Sequence, residues 1–122
     1  MTATPASHPF EIREHDEAGV RVLAIQGELD IATAPRLAVR IDGARRNGAR
    51  RLLIDLTTAE FCDSTGLRAL VGCRQEVLAS GGRMVVAVPG DSAVGRMFAL
   101  AGAAELLPVY DGFEPALAAL AP

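Results

Sequence analysis

Apolar and polar residues alternate in the first part of the chain. The period is close to two over residues 10–16, where apolar residues are sparse, and over residues 20–29, where both faces carry apolar side chains. Such alternation is typical of β-strands, and Glu17-Ala18-Gly19 supplies a turn between the two segments. The pattern therefore predicts an edge strand followed by a strand that is partly buried on both sides.

After Asp30 the apolar residues recur at helical spacing. Leu37, Ile41 and Ala44 would share one face of a helix, and Thr33 is expected to cap it. From there to the C terminus, short apolar runs alternate with helical stretches. The predicted elements in this part are strands at 51–56, 84–88 and 106–109, and helices at 66–79, between Ser92 and Gly102, and at 115–120.

The predicted order of elements is β-β-α-β-α-β-α-β-α. Strands that alternate with helices build parallel sheets with right-handed crossovers. We therefore expect an α/β fold: a single domain with a central mixed, mainly parallel β-sheet and helices packed on it. Residues 1–8 carry little to bury and are expected to form a flexible N-terminal tail, so the predicted domain spans residues 9–122.

Composition fits one folded domain of modest size. The chain has 122 residues, of which 50% are hydrophobic and 22% are charged. That length allows a core without disulfides or metal ions. Aromatic residues make up 4% and Trp is absent, so the core must consist of Leu, Val, Ile and Ala.

Charge and the lack of targeting features exclude several kinds of partner. The net charge is −3, so no basic surface is expected for nucleic acid. No apolar run approaches the roughly 18 residues that span a membrane, and residues 1–9 lack the features of a signal peptide. We expect a cytoplasmic protein that binds neither nucleic acid nor membrane.

Cysteine and histidine do not form a metal-binding pattern. The two cysteines are Cys62 and Cys73, and their spacing is not that of a zinc or redox motif. The two histidines are His8 and His15, which lie far from both cysteines in sequence. We expect two buried, reduced thiols, no metal site and no cofactor.

The most unusual segment is Asp63-Ser64-Thr65-Gly66. It falls between a predicted strand and a predicted helix, at the sheet edge where α/β domains place functional groups. The simplest interpretation is helix capping by Asp63 or Ser64. A second interpretation is that Ser64 accepts a phosphate at the helix N terminus, where free amides and the helix dipole favour anions.

An enzymatic serine is a weaker hypothesis for the same segment. The nucleophile-elbow motif needs Gly at the position of Cys62. The available bases are His8 in the predicted tail and His15 on the predicted edge strand. An aspartic-protease triplet is not matched, because Thr65 intervenes. The sequence therefore predicts no catalytic residue.

Four segments together resemble a known family. The chain is similar to the STAS family, and more narrowly to the free-standing bacterial anti-sigma factor antagonists, at residues 27–30 (Gly-Glu-Leu-Asp), 53–56 (Leu-Ile-Asp-Leu), 61–67 (Phe-Cys-Asp-Ser-Thr-Gly-Leu) and 81–86 (Gly-Gly-Arg-Met-Val-Val). The resemblance covers roughly residues 9–120. Its specific part is the Asp-Ser-Thr-Gly-Leu block after an Asp-Leu strand.

The resemblance implies a partner-switching mechanism. In such proteins, an anti-sigma factor with ATP-dependent serine kinase activity holds a sigma factor inactive. The unphosphorylated antagonist binds that kinase and frees the sigma factor. The kinase then phosphorylates the serine after the motif aspartate, here Ser64, and a PP2C-type phosphatase reverses the modification. The chain would be a regulator of transcription and not an enzyme.

The resemblance also implies a partner-binding surface that includes Ser64. Asp63 matches the motif aspartate. Asp30 matches a position at the kinase contact surface, although a turn or cap role is equally expected for it. Thr65 is either a second acceptor or, as we expect, a hydroxyl bonded within the first helical turn. Arg68 replaces a frequent Gly and is expected to affect which partner is recognised.

Two points stay open from the sequence alone. Arg74 falls in the apolar stripe of the predicted helix at 66–79, where it is expected either to extend past the core or to pair with an acid. An alternative function is a structural STAS subunit of a larger assembly, such as a stressosome or a transport complex, in which Ser64 is never modified.

Overall fold

The computed structural model describes residues 8–121, so residues 1–7 of the predicted tail lie outside the described residues. Within the described part the chain forms six strands and four α-helices, with a 3-10 helix at Ala103–Glu105. The strands are β1 (Glu11–Glu17), β2 (Val20–Leu29), β3 (Arg51–Asp55), β4 (Ala59–Cys62), β5 (Arg83–Val88) and β6 (Val109–Asp111). The helices are α1 (Ala34–Arg46), α2 (Ser64–Ala79), α3 (Ala93–Leu100) and α4 (Phe113–Leu120).

The predicted α/β fold with a mixed, mainly parallel sheet is confirmed. The strand order is β1-β2-β3-β5-β6, and β1 pairs antiparallel with β2 while the other pairs along this path are parallel. The strand β4 is an addition to the predicted order. It is a four-residue strand that lies parallel to the last third of β2.

Two strands, β3 and β4, pair one after the other with β2, on the side opposite β1. Residues 21–24 pair with β3, and after an irregularity between Gly27 and Glu28 its end pairs with β4. Leu29 and Cys62, the last residues of β2 and β4, are partners in this register. The carboxyl ends of two strands are thus held side by side at one edge of the sheet.

The two faces of the sheet are covered unequally. Helices α1, α2 and α3 pack on one face over Leu23, Ile25, Leu52 and Ile54. Helix α4 covers the other face, where a second, smaller core is formed by Val20, Val22, Leu53, Val85, Ala87, Ala116 and Leu120. The alternation predicted for β2 is confirmed, because successive residues enter different cores.

Several predicted boundaries differ from the structure. Helix α2 begins at Ser64, two residues before the predicted start. The last strand is Val109–Asp111 rather than 106–109, because the amides of Leu106 and Leu107 donate to the carbonyl oxygen of Ala103 and complete the preceding 3-10 turn. Among residues 8–121, the helices are all too short or too polar to cross a membrane.

Candidate functional site

The segment Asp63-Ser64-Thr65-Gly66 lies where β4 ends and α2 begins, beside the end of β2. The amide of Asp63 donates to the carbonyl oxygen of Leu29 at 3.2 Å. A methyl group on Gly66 would lie 2.8 Å from that same oxygen and 3.0 Å from the Sγ of Cys62. Only glycine therefore lets α2 start this close to β2, a packing role that the sequence analysis did not identify.

Asp63 is the residue that caps α2. Its Oδ1 accepts a hydrogen bond from the amide of Gly66 at 2.9 Å, and its carbonyl oxygen accepts from the amide of Leu67 at 3.0 Å. Capping by a side-chain carboxylate satisfies amides that have no partner inside the helix. The capping role predicted for Asp63 or Ser64 thus falls to Asp63 and leaves the Ser64 side chain without a structural task.

Ser64 is the first residue of α2 and is exposed. Thr65 is half-buried. In the part of the chain that the structure describes, neither hydroxyl forms a hydrogen bond. The first-turn bond expected for Thr65 is therefore not made, and Ser64 is the more accessible of the two hydroxyls.

Asp30 follows Leu29 directly, so the register places it next to Asp63 at the same edge. Its Oδ1 accepts from the amides of Ala32 at 3.0 Å and Thr33 at 3.1 Å, before α1 begins. The predicted side-chain cap by Thr33 is not made, because its Oγ1 donates to the carbonyl oxygen of Glu28 at 2.7 Å instead. Asp30 has the turn role, and it lies on the surface that carries Ser64.

A groove with a volume of about 570 Å³ runs from Ser64 onto α3. It is lined on the α3 side by Ala93, Arg96, Met97, Leu100 and Ala101. Leu100 is 90% exposed, although Phe98 of the same helix is buried.

Arg96 and Leu100 were missed from the sequence. The sequence does indicate them through a second face of α3. Residues 93, 96, 97 and 100 recur at helical spacing on the side away from the buried Val94 and Phe98.

Two arginines of different helices lie near Ser64. Arg68 lies one turn later on α2, and Arg96 lines the groove from α3; both are exposed. Arg74 lies further along α2 and is half-buried, and its Nε is buried without a hydrogen-bond partner. The acid expected for Arg74 is not found as an ion-pair partner within residues 8–121.

Both histidines bond to acids rather than to Ser64. His8 bonds to Glu60 at 3.3 Å and His15 to Glu17 at 3.2 Å, and neither hydrogen-bonds Ser64. Over the described range, His, Cys, Asp and Glu form no group of three or more that could hold a metal ion.

Burial shapes the chemistry of the two thiols, of which Cys62 adjoins the site. Both cysteines are free and buried, as predicted. Burial, together with the charge of Asp63, raises the pKa of Cys62 to about 12. Burial and the acids Glu76 and Asp42 raise the pKa of Cys73 to about 11. Since the thiolate is the reactive form, neither is a nucleophile at neutral pH.

Comparison with known proteins places this geometry in a family. Residues 10–116 match the STAS domain. An anti-sigma-B factor antagonist of Staphylococcus aureus (strain NCTC 8325 / PS 47) is 30% identical over 90 residues, which cover 74% of this chain and 82% of that protein. An anti-sigma F factor antagonist of Paenibacillus polymyxa is 28% identical over 112 residues, 91% of this chain and 95% of that one.

A solved structure agrees with these matches. The crystal structure of an anti-sigma factor antagonist from Mycobacterium paratuberculosis superposes with a TM-score of 0.82 at 30% identity, covering 96% of this chain and 98% of that one. The chain therefore belongs to the STAS domain family and, within it, to the anti-sigma factor antagonists.

Proposed function

We propose that the unphosphorylated protein binds an anti-sigma factor with serine kinase activity and thereby releases its sigma factor, and that phosphorylation of Ser64 ends this binding. The observation that carries the proposal is the state of Ser64, which is exposed and has a hydroxyl without a partner in the described chain. Asp63 has taken over the capping of α2, so Ser64 is free to be modified without loss of the helix end.

The anti-sigma factor as partner is supported by the names of the relatives, which are antagonists of anti-sigma-B and anti-sigma F factors. Anti-sigma factor antagonists are regulators and not enzymes. The binding surface would extend over Asp30, Asp63, Ser64, Thr65 and Arg68, which come from the ends of β2 and β4 and the first turns of α2. Since sigma factors act on RNA polymerase, the proposal places the protein in the cytoplasm.

The proposed modification moves one phosphoryl group. The Oγ of Ser64 attacks the γ-phosphorus of ATP, the bond between that phosphorus and the bridging oxygen breaks, and ADP leaves. The hydroxyl proton passes to a base of the kinase. A PP2C-type phosphatase would restore the switch by transferring the phosphoryl group to water, which yields inorganic phosphate and the free Ser64 hydroxyl.

A phosphate adds about −1.5 to −2 charges at pH 7. The edge already holds the carboxylates of Asp30 and Asp63, and the kinase site holds ADP after the transfer. Repulsion and the desolvation of a dianion at the interface therefore weaken the complex. Thr65 is the poorer acceptor because it is half-buried.

The test is modification of the purified chain by its kinase. A pull-down from native lysate is expected to capture a protein with a histidine-kinase-like ATPase fold, and incubation with that protein and ATP is followed by phosphopeptide mapping. We expect one phosphate on Ser64 and none in Ser64→Ala, which should still bind the kinase. Ser80→Ala, at the other end of α2, is the matched control and should be modified normally. A phosphate on Thr65, or on neither residue, contradicts the proposal and favours the structural-subunit function.

A further inference from the structure

Two of the arginines that have no acidic partner in the described chain lie near Ser64. Arg68 and Arg96 form no ion pair with any residue in the range 8–121. Ion pairs to Asp or Glu are formed by Arg13, Arg21, Arg40, Arg45 and Arg46. Because Arg68 and Arg96 have no acidic partner among the described residues, both are available to an anion on the exposed Ser64.

The backbone brings Arg68 towards Ser64. Residues four apart on a helix are neighbours, with Cβ atoms about 5–6 Å apart. Side chains on a helix lean towards its N terminus, so Arg68 covers the turn that begins with Ser64. Arg96 approaches from α3, across the groove that it lines together with Ser64. The two arginines thus stand on different helices near the same residue.

Guanidinium is the side-chain group best suited to hold a phosphate. It is planar, remains charged at all physiological pH values, and donates two parallel hydrogen bonds to phosphate oxygens. We propose that Arg68 and Arg96 clamp the phosphate on Ser64 within the chain and so tie the start of α2 to α3. This inference rests on the proposed function for the phosphate itself; the clamp adds only ion pairs and breaks no covalent bond.

The clamp would add a second reason why the phosphorylated form is inactive. Arg96 would be drawn to the phosphate end of the groove, and the apolar floor at Met97 and Leu100 would be fixed relative to α2. A partner that enters the groove would then meet a closed, rigid surface in addition to the new charge.

Other charges at this edge work against the clamp and set its strength. The carboxylates that follow β2, β4 and β5 are those of Asp30, Asp63 and Asp91. The Oδ1 atoms of Asp30 and Asp63 already accept backbone hydrogen bonds. The carboxylates of the last residues of β3 and β6 are engaged elsewhere, since Asp55 accepts from Thr57 and Asp111 from Gly90.

The experiment installs phosphoserine at position 64 of the full chain by genetic code expansion, so no kinase is needed. Phosphorus NMR then follows the second ionisation of the phosphate with pH. In an unstructured chain its pKa is about 6. We expect a value about half a unit to one unit lower in this protein, because a nearby cation favours the dianion and solvent weakens that effect at an exposed site.

Matched variants assign the shift to the two arginines. Arg68→Gln and Arg96→Gln should each raise the phosphate pKa part of the way back to its value in an unstructured chain, and the double variant should restore that value fully. Arg50→Gln removes the same charge just before β3, at the other end of the sheet, and should leave the phosphate unchanged. All three arginines are exposed or half-buried on the surface, so the variants are expected to fold.

A second measurement reports on the tie between the helices. Hydrogen exchange of the amides of residues 93–101 should slow when phosphoserine is present, and this protection should disappear in Arg96→Gln. If the double variant titrates at the same pH as the parent, the clamp is wrong. That outcome is separate from failure of the proposed function, which would appear as absence of kinase-dependent phosphate on Ser64 in the unmodified chain.

Discussion

The hairpin β1–β2 and the edge around Ser64 differ in whether their arginines are paired with carboxylates. On the hairpin, Arg21 pairs with Glu14 at 2.8 Å and with Asp16 at 2.5 Å, and Arg40 reaches Glu14 from α1 at 2.9 Å. At the edge, Arg68 and Arg96 have no carboxylate partner among residues 8–121. Arg21 of the hairpin is paired inside the chain, whereas the two arginines near Ser64 are available to a phosphate or a partner.

Charge pairs are therefore characteristic of the hairpin, whereas packing and helix capping hold the edge around Ser64. The hairpin lies at an edge of the sheet, where charged side chains also discourage pairing with other chains. The edge around Ser64 is instead held by the close contact of Gly66 with Leu29 and by the cap of Asp63. Substitutions in the two regions should therefore have different effects on stability and on binding.

The largest effect is expected from Gly66→Ala, which tests whether packing holds the edge. The added methyl group would meet the carbonyl oxygen of Leu29 at 2.8 Å, and backbone cannot give way cheaply. We expect a loss of about 2 kcal/mol in the free energy of unfolding, measured with urea, and weaker partner binding because α2 is displaced. Gly72→Ala, on the same helix with open space at its Cβ, should instead be neutral or gain up to about 1 kcal/mol.

The next largest effect is expected from Ser64→Asp, which adds a negative charge to the edge around Ser64. The side chain is exposed and has no structural partner in the described residues, so the unfolding free energy should hardly change. Binding to the kinase should weaken by about tenfold, since one carboxylate mimics a phosphate only in part. Calorimetry at two salt concentrations measures both the loss and its electrostatic share. Wild-type affinity for this variant would place the switch elsewhere.

Glu14→Gln probes the paired region. Burial would raise the pKa of Glu14, but hydrogen bonds and charge from Arg40 and Arg21 outweigh it and hold that pKa below the ordinary value. The carboxylate therefore stabilises the fold above the pKa of the unfolded chain, and this contribution is lost as the pH falls through the folded-state pKa.

We expect Glu14→Gln to cost about 1 kcal/mol of unfolding free energy near pH 7 and almost nothing near pH 3. Urea unfolding at both pH values provides the measurement. Glu11→Gln is the control, because that residue lies on the same strand and pairs only with the exposed Arg13. An equal cost at both pH values would mean that the pairs around Arg21 do not stabilise the hairpin.

The smallest effect is expected on the fold when Ser64 is phosphorylated. Amides at a helix start accept a negative charge well, and the clamp would offset the repulsion from Asp63. Amide chemical shifts should change only around residues 28–34, 61–70 and 93–101. Changes spread over β1 and β3 would instead indicate a switch that passes through the whole domain.

The periodic parts of the fold were predictable because each element satisfies a local rule. The two faces of β2 and the stripe at Leu37, Ile41 and Ala44 were predicted correctly from spacing alone. The strand β4 was missed because it has four residues and its Phe61 is exposed, so no alternation marks it. The role predicted for Thr33 was wrong because its hydroxyl donates to the carbonyl oxygen of Glu28 instead, a contact that depends on how the chain leaves β2.

The position of Ser64 was predictable because its motif is contiguous in sequence. Its neighbours Arg96 and Leu100 were not, since they reach the site only through the packing of α3 beside β4. Whether a charged side chain is paired is also a property of the folded chain, as the contrast between Arg21 and Arg96 illustrates.

The pairing of Leu29 with Cys62 has a consequence for the newly made protein. The edge that carries Asp30 and Ser64 forms only after two distant stretches of the polypeptide have met, and contacts of long sequence separation form slowly. A ribosome-bound chain that has not yet emerged beyond β4 has no such edge. Under the proposed function, a fragment cut between β2 and β4 would lack this edge and would not release the sigma factor.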